Sequence, residues 1–181
     1  MAGTNTELAQ VSGSNMAVAH ELQDDMTSQY LSFELADELY GVDILRVQEI
    51  KGWTRVTRIP NTPEYMRGVL NLRGTVVPII DMRRRFNLEN SEYTATTVVI
   101  VLSVKSDTGE RVIGFVVDAV SDVLNVTPEN MKQTPDFGSA VNTDFISGLA
   151  SVDENMVMLL DVDKLFDADE MAVIKTAEQQ Q

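Results

Sequence analysis

Gly68-Val69-Leu70-Asn71-Leu72-Arg73-Gly74-Thr75-Val76-Val77-Pro78-Ile79-Ile80-Asp81, continued to Phe86, is a pattern this chain uses twice. Gly148-Leu149-Ala150-Ser151-Val152, then Met158-Leu159-Leu160-Asp161 and Phe166, repeats it without a gap. Gly to Asp spans 13 residues in both copies, and Gly to Phe spans 18. Upstream, Tyr40-Gly41-Val42-Asp43 and Val47-Gln48-Glu49-Ile50 are answered by Ile113-Gly114-Phe115-Val116 and Val120-Ser121-Asp122-Val123. A spacing of about 75–80 residues is too long for a solenoid repeat. The pattern describes one small β-rich unit used twice, and two copies with different surfaces suit two different partners.

Within each copy, apolar runs flank a tight turn, and Gly74 is the residue expected to take φ > 0. Asp81 and Asp161 read as caps of short helical turns ending at Phe86 and Phe166. Working upstream, residues 30–35 alternate as a half-buried strand, and Asp37-Glu38 reads as a turn into a strand over 39–42. Asp43 predicts a helix over 44–50 with Ile44, Val47 and Ile50 on one face. A strand is expected over 55–59, stopped by Pro60, and residues 87–94 read as the joint between the copies.

The second copy predicts strands over 97–104 and 111–117, and helical turns over 118–124 and 128–132. A polar loop over 134–143 leads to strands over 145–151 and 156–160. Many short strands with brief helices argue for small barrels rather than a parallel sheet. Residues 1–28 are polar and aperiodic and read as a mobile tail with a transient turn near 16–26. Residues 168–181 read as a C-terminal tail or short helix.

At 181 residues, 44% of them hydrophobic, the chain has enough apolar material for a real core. It has no cysteine, which removes disulfides, thiolate metal sites and a cysteine nucleophile. No basic segment followed by an apolar run opens the chain. The longest apolar run, Val98-Val99-Ile100-Val101-Leu102, falls far short of the ~20 residues of a membrane span, so a cytoplasmic protein is expected. The net charge of −14 is unevenly distributed. Residues 30–93 balance nine basic against nine acidic residues, whereas residues 94–167 carry four against twelve. The two copies therefore present different electrostatic faces, and the chain as a whole repels polyanions.

Five segments in order resemble the CheW-like family of bacterial chemotaxis coupling proteins. They are Tyr40-Gly41-Val42-Asp43-Ile44-Leu45-Arg46-Val47-Gln48-Glu49-Ile50, Thr57-Arg58-Ile59-Pro60-Asn61-Thr62-Pro63, residues 67–81, residues 97–102, and Val116-Val117-Asp118-Ala119-Val120-Ser121-Asp122-Val123-Leu124. The resemblance spans residues 29–167. It implies a mainly β fold of two pseudo-symmetric five-stranded SH3-like barrels with short helices. The first barrel is expected at about 37–93 and the second at about 94–167, with the strand over 30–35 at the seam. It also implies a non-catalytic cytoplasmic adaptor joining the tips of chemoreceptors to the regulatory domain of the histidine kinase CheA in membrane-associated arrays, with weak self-association in rings. The same module occurs in that kinase domain and in CheV proteins; the absence of kinase or receiver segments favours the free-standing adaptor.

Arg73 stands at a hairpin apex, from which its guanidinium reaches several acceptors at once, and Asp153 takes that place in the second copy. The resemblance implies a receptor-binding surface of Val47, Glu49, Arg73, Gly74, Val98 and Val99. Val98 and Val99 are successive strand residues, so one points to the core and one away from it. Gly41, Gly68, Gly114 and Gly148 read as structural turn glycines. Kinase contacts are expected along barrel edges, without assigned residues.

Enzymatic readings find little support. The single histidine, His20, lies in the expected tail, out of reach of a Ser-His-Asp arrangement on the core. No Gly-rich phosphate loop is present, so no cofactor is expected. The aspartates from Asp161 to Asp169 break calcium-loop spacing, with Leu165 and Phe166 where an oxygen ligand and a glycine are needed. Arg83-Arg84-Arg85 is the best argument for nucleic acid, yet three arginines in one helical turn diverge and lack interleaved aromatics.

Overall fold

The structure, a computed structural model, describes residues 27–89, 92–135 and 143–179. The expectations for residues 1–26 and for the centre of the 134–143 loop lie outside the described residues. In chain order the elements are β1 Ser28–Leu35, β2 Glu38–Asp43, a 3-10 turn Ile44–Arg46, β3 Val47–Gly52, β4 Met66–Leu72, β5 Thr75–Asp81 and α1 Met82–Arg85. There follow β6 Val98–Ser106, β7 Gly109–Val117, β8 Ala119–Val126, β9 Met131–Lys132, β10 Ile146–Val152, β11 Asn155–Leu160, a 3-10 turn Val162–Lys164 and α2 Ala168–Gln179.

The strands form two sheets, ordered β8-β1-β2-β11-β10-β9 and β3-β6-β7-β5-β4. The fold is mainly β and fits two SH3-like barrels, as expected. A contiguous first barrel over 37–93 and second over 94–167 is corrected, because both sheets cut across that division. β2 pairs in parallel with β11, and β5 in parallel with β7. β3 pairs with β6, and β1 with β8. The repeat is nonetheless visible in three dimensions. Exchanging each strand for its counterpart (β1 with β6, β2 with β7, β3 with β8, β4 with β10, β5 with β11) converts one five-strand order into the other. The register shifts at Met66/Gly68 and at Ile146/Gly148 fall at equivalent places.

Side-chain alternation divides the apolar residues among three clusters. Along β6, Val99 and Val101 join Val77, Ile79 and Val116 inside one barrel. The intervening Ile100 and Leu102 join Phe33, Leu35, Val42, Ile80 and Phe115 in a large cluster built from both sheets. Val126, Ala150, Val157 and Leu159 fill the other barrel. An aromatic ladder crosses the seam: Phe33 stacks on Tyr40 at 5.8 Å, Tyr40 on Phe86 at 5.7 Å and Phe86 on Phe145 at 5.0 Å.

Three of the hairpin turns share one chemistry. Arg73 and Gly74 have φ of 52° and 87°, Asp153 and Glu154 have 49° and 65°, and Ala36 and Asp37 have 49° and 67°. Two successive positive φ values between directly paired strand ends match the right-handed strand twist. In the first of these turns the Asn71 Oδ1 accepts from the Gly74 amide at 2.8 Å.

Several local expectations are corrected. Residues 47–50 belong to strand β3 rather than a helix; only Ile44–Arg46 turns, capped by Asp43 Oδ1 accepting from the Leu45 amide. Alternation in β3 leaves Ile50 44% exposed instead of on a buried helical face. Residues 119–124 likewise lie in strand β8. The expected strand over 55–59 is reduced to a single bridge, Thr57 to Val69. The C-terminal residues form helix α2, which buries Met171, Ile174 and Ala177.

Gly41, Gly68, Gly114 and Gly148 sit within β2, β4, β7 and β10, so their expected role in turns is also corrected. Close packing explains two of them. A Cβ on Gly114 would lie 2.6 Å from Ile79 Cδ1, and one on Gly68 would lie 2.1 Å from the Thr57 carbonyl oxygen. Gly68 also has φ of 144°, at the strand bulge.

Candidate functional site

The β4–β5 hairpin carries Arg73 at its tip, and the curvature of the sheet brings that tip to β3. There Arg73 Nη2 donates to Glu49 Oε2 at 3.3 Å. The Arg73 side chain is 84% exposed and that of Glu49 31%. Such a pair is loosely held and strongly hydrated, so a partner displaces it at little cost. Val47 stands on the same strand, half-buried against the large cluster. Of the expected surface residues the structure brings Glu49 and Arg73 into contact, with Val47 on the same strand as Glu49 and Gly74 beside Arg73 in the turn.

The two valines are a different matter. Val99 is fully buried within its barrel, which removes it from any contact surface. Val98 is half-buried, packs on the large cluster and pairs with Gly52 at the end of β3.

One neighbour was missed. Leu45, in the turn that leads into β3, is 86% exposed, the most open of the large apolar side chains among the described residues. Its signal was the Asp43 cap, which fixes a single turn before the strand and so turns Leu45 away from the Ile44 side that packs on the core. Leu45, Gln48 and Ile50 are exposed along the turn and strand that carry Glu49, with Ile50 on the strand face opposite Glu49 and its Arg73 partner. That composition suits a protein contact.

Elsewhere the charges serve the fold. Arg83 donates to both oxygens of Asp118, Arg84 lies 3.7 Å from Asp81, and Arg85 lies 3.1 Å from Glu170. The three successive arginines diverge to three separate partners and form no basic stripe. Asp81 is buried, caps α1 through the amides of Arg83 and Arg84, and accepts from the Tyr93 hydroxyl at 2.7 Å. Burial, then that hydrogen bond, push the Tyr93 hydroxyl far above its ordinary value. Among the described residues no His, Cys, Asp and Glu cluster is arranged to hold a metal ion.

A family model described as CheW-like domain matches residues 29–170. The chain belongs to the CheW-like family. It is 45% identical over 160 residues to chemotaxis protein CheW of Klebsiella aerogenes, covering 88% of this chain and 94% of that one. Against chemotaxis protein CheW of Rhizobium meliloti the identity is 39% over 142 residues, covering 78% and 89%. The crystal structure of the scaffolding protein TtCheW from Thermoanaerobacter tengcongensis superposes with a TM-score of 0.71 at 30% identity, covering 80% of this chain and 96% of that one. The CheW-like fold and a place in chemotaxis follow from these likenesses. No helix among the described residues is long and apolar enough to cross a membrane.

Proposed function

We propose that this protein is a non-catalytic adaptor that couples chemoreceptors to the histidine kinase CheA, recruited from the cytoplasm to receptor arrays. The observation that carries the reading is the exposed Arg73 turn, paired with Glu49, on a chain that matches chemotaxis CheW proteins over nearly their whole length. Receptor contact is assigned to Val47, Glu49, Arg73, Gly74 and the accessible side of Val98, with Leu45 added. An apolar helix laid on such a surface gains roughly 25 cal/mol per Å2 before association costs are subtracted. One-to-one binding is therefore weak, and repetition in an array supplies the hold.

The kinase contact is assigned to sheet edges, where unpaired backbone groups and exposed apolar side chains coincide. β3 and β8 are such edges, and they expose Ile50 and Val123 equally, at 44% each. A pull-down tests the reading. The protein retains a receptor signalling fragment and the CheA regulatory domain, and Arg73→Glu loses the first while keeping the second. Retention of neither by the unaltered protein defeats the adaptor role.

A further inference from the structure

Nine arginines lie in the described residues. Six of them, Arg46, Arg73, Arg83, Arg84, Arg85 and Arg111, stand within ion-pair distance of a carboxylate. The other three, Arg55, Arg58 and Arg67, have no such partner among the described residues. All three line one cleft of about 610 Å3, together with Trp53, Val56 and Thr57 and no acidic side chain. In a chain of net charge −14, this gathering of cations without a carboxylate partner runs against the overall balance.

The cleft has a defined frame. The segment joining β3 to β4 is pinned at one end by the Trp53 amide donating to the Thr97 carbonyl at 3.1 Å. At the other, Thr57 and Val69 exchange backbone hydrogen bonds of 3.0 and 2.8 Å. Trp53 packs on Tyr93 at 4.3 Å, and the Arg67 guanidinium lies over the Tyr93 ring at 5.7 Å. Arg67 Nε is buried and has no hydrogen-bond partner among the described residues. Arg85 and Arg111 also leave Nε unpaired, but their terminal nitrogens are engaged by carboxylates. An adjoining cleft shares Arg58 and Arg67 and adds Arg84 and Glu64. Arg84 is turned to Asp81, and Glu64 is the acidic side chain lining this adjoining cleft with Arg58 and Arg67.

We propose that the Trp53–Arg55–Arg58–Arg67 cleft binds a small soluble anion bearing two or more phosphate groups. Guanidinium groups meet phosphate oxygens through paired, charge-assisted hydrogen bonds. One carboxylate leaves two of the three charges unmet, whereas a di- or triphosphate answers all of them in a compact volume. An extended acidic peptide spaces same-side carboxylates by about 7 Å, so it presents its charge less compactly than a polyphosphate does. The volume lies within the range of small-ligand sites. The proposal does not rest on the adaptor reading.

The test is calorimetric titration of the full chain with tripolyphosphate, set beside hexaglutamate at matched ionic strength. Tripolyphosphate binds saturably and more tightly than hexaglutamate. Arg55→Ser/Arg58→Ser, both exposed positions, weakens it at least about tenfold without lowering the melting temperature of the free protein. Arg73→Ser, an exposed arginine outside the cleft, leaves it unchanged. Absence of saturable tripolyphosphate binding, equal binding by the double variant, or tighter binding of hexaglutamate overturns the proposal.

Discussion

Arg46, in the turn after β2, places Nη2 2.6 Å from Oδ2 of Asp163, in the turn after β11. Its Nη1 donates to the other carboxylate oxygen at 3.0 Å and to the Ser103 carbonyl at 3.1 Å. At the pseudo-equivalent place, Arg83 holds Asp118 with the charges exchanged between the two copies. Each pair ties one half of the chain to the other, across a boundary that four strand ladders also cross.

Removing one partner of the first clasp leaves the other charge half-buried. Arg46→Ala is expected to lower stability in urea unfolding by about 2 kcal/mol, with an unchanged m-value. A loss below the noise of the titration contradicts the clasp.

Strand exchange makes the halves interdependent. A fragment of residues 94–181 retains β6 and β7 but loses β3 and the β4–β5 pair from their sheet. It is expected to be unfolded by far-UV circular dichroism, and the whole chain to unfold in one transition. A folded fragment contradicts the exchanged topology.

Three glycines differ in what limits them. Gly68→Ala meets a backbone carbonyl and a positive φ, Gly114→Ala meets Ile79 and Val99 side chains, and Gly74→Ala meets only its φ of 87°. The expected order of destabilisation is Gly68 > Gly114 > Gly74, with about 1–2 kcal/mol for the last. Urea midpoints for the three variants read the order directly.

Acid acts in opposite directions on two sites. Burial alone raises the Asp163 carboxyl, but hydrogen bonds from Arg46 and the Lys105 amide outweigh it and hold it below its ordinary 3.8. Its contribution is present above the unfolded value and is lost as pH falls through the depressed folded one. Glu170 and Glu178 on α2 are raised above 4.5, first by burial, despite Arg85 and Arg111 beside them. Their protonated forms favour docking, and that advantage is lost as pH rises through the raised values. Hydrogen exchange in α2, corrected for intrinsic rates, should therefore show more protection just below 4.5 than at neutral pH. Less protection there contradicts the burial of these carboxylates.

The duplication, the hairpins and the Asp81 and Asp161 caps were legible because each is a local pattern with local causes. Residues 44–50 misled because Ile44, Val47 and Ile50 satisfy a helical spacing, while the alternation Val47, Glu49, Lys51 places a charged residue at two of three inward positions. Burial of their aliphatic stems makes that tolerable in a strand. Which half each strand pairs with was not legible, since apolar alternation says which face is buried and not against what. The three free arginines were hidden for the same reason: Arg55, Arg58 and Arg67 gather only when the bridge from Thr57 to Val69 forms.

Reconstituted kinase activity tests the adaptor role most directly. With receptor, CheA and this protein together, phosphorylation should respond to receptor ligand. Omitting the protein, or substituting the folded Arg73→Glu variant, should abolish the response. Full receptor control in its absence would contradict the account.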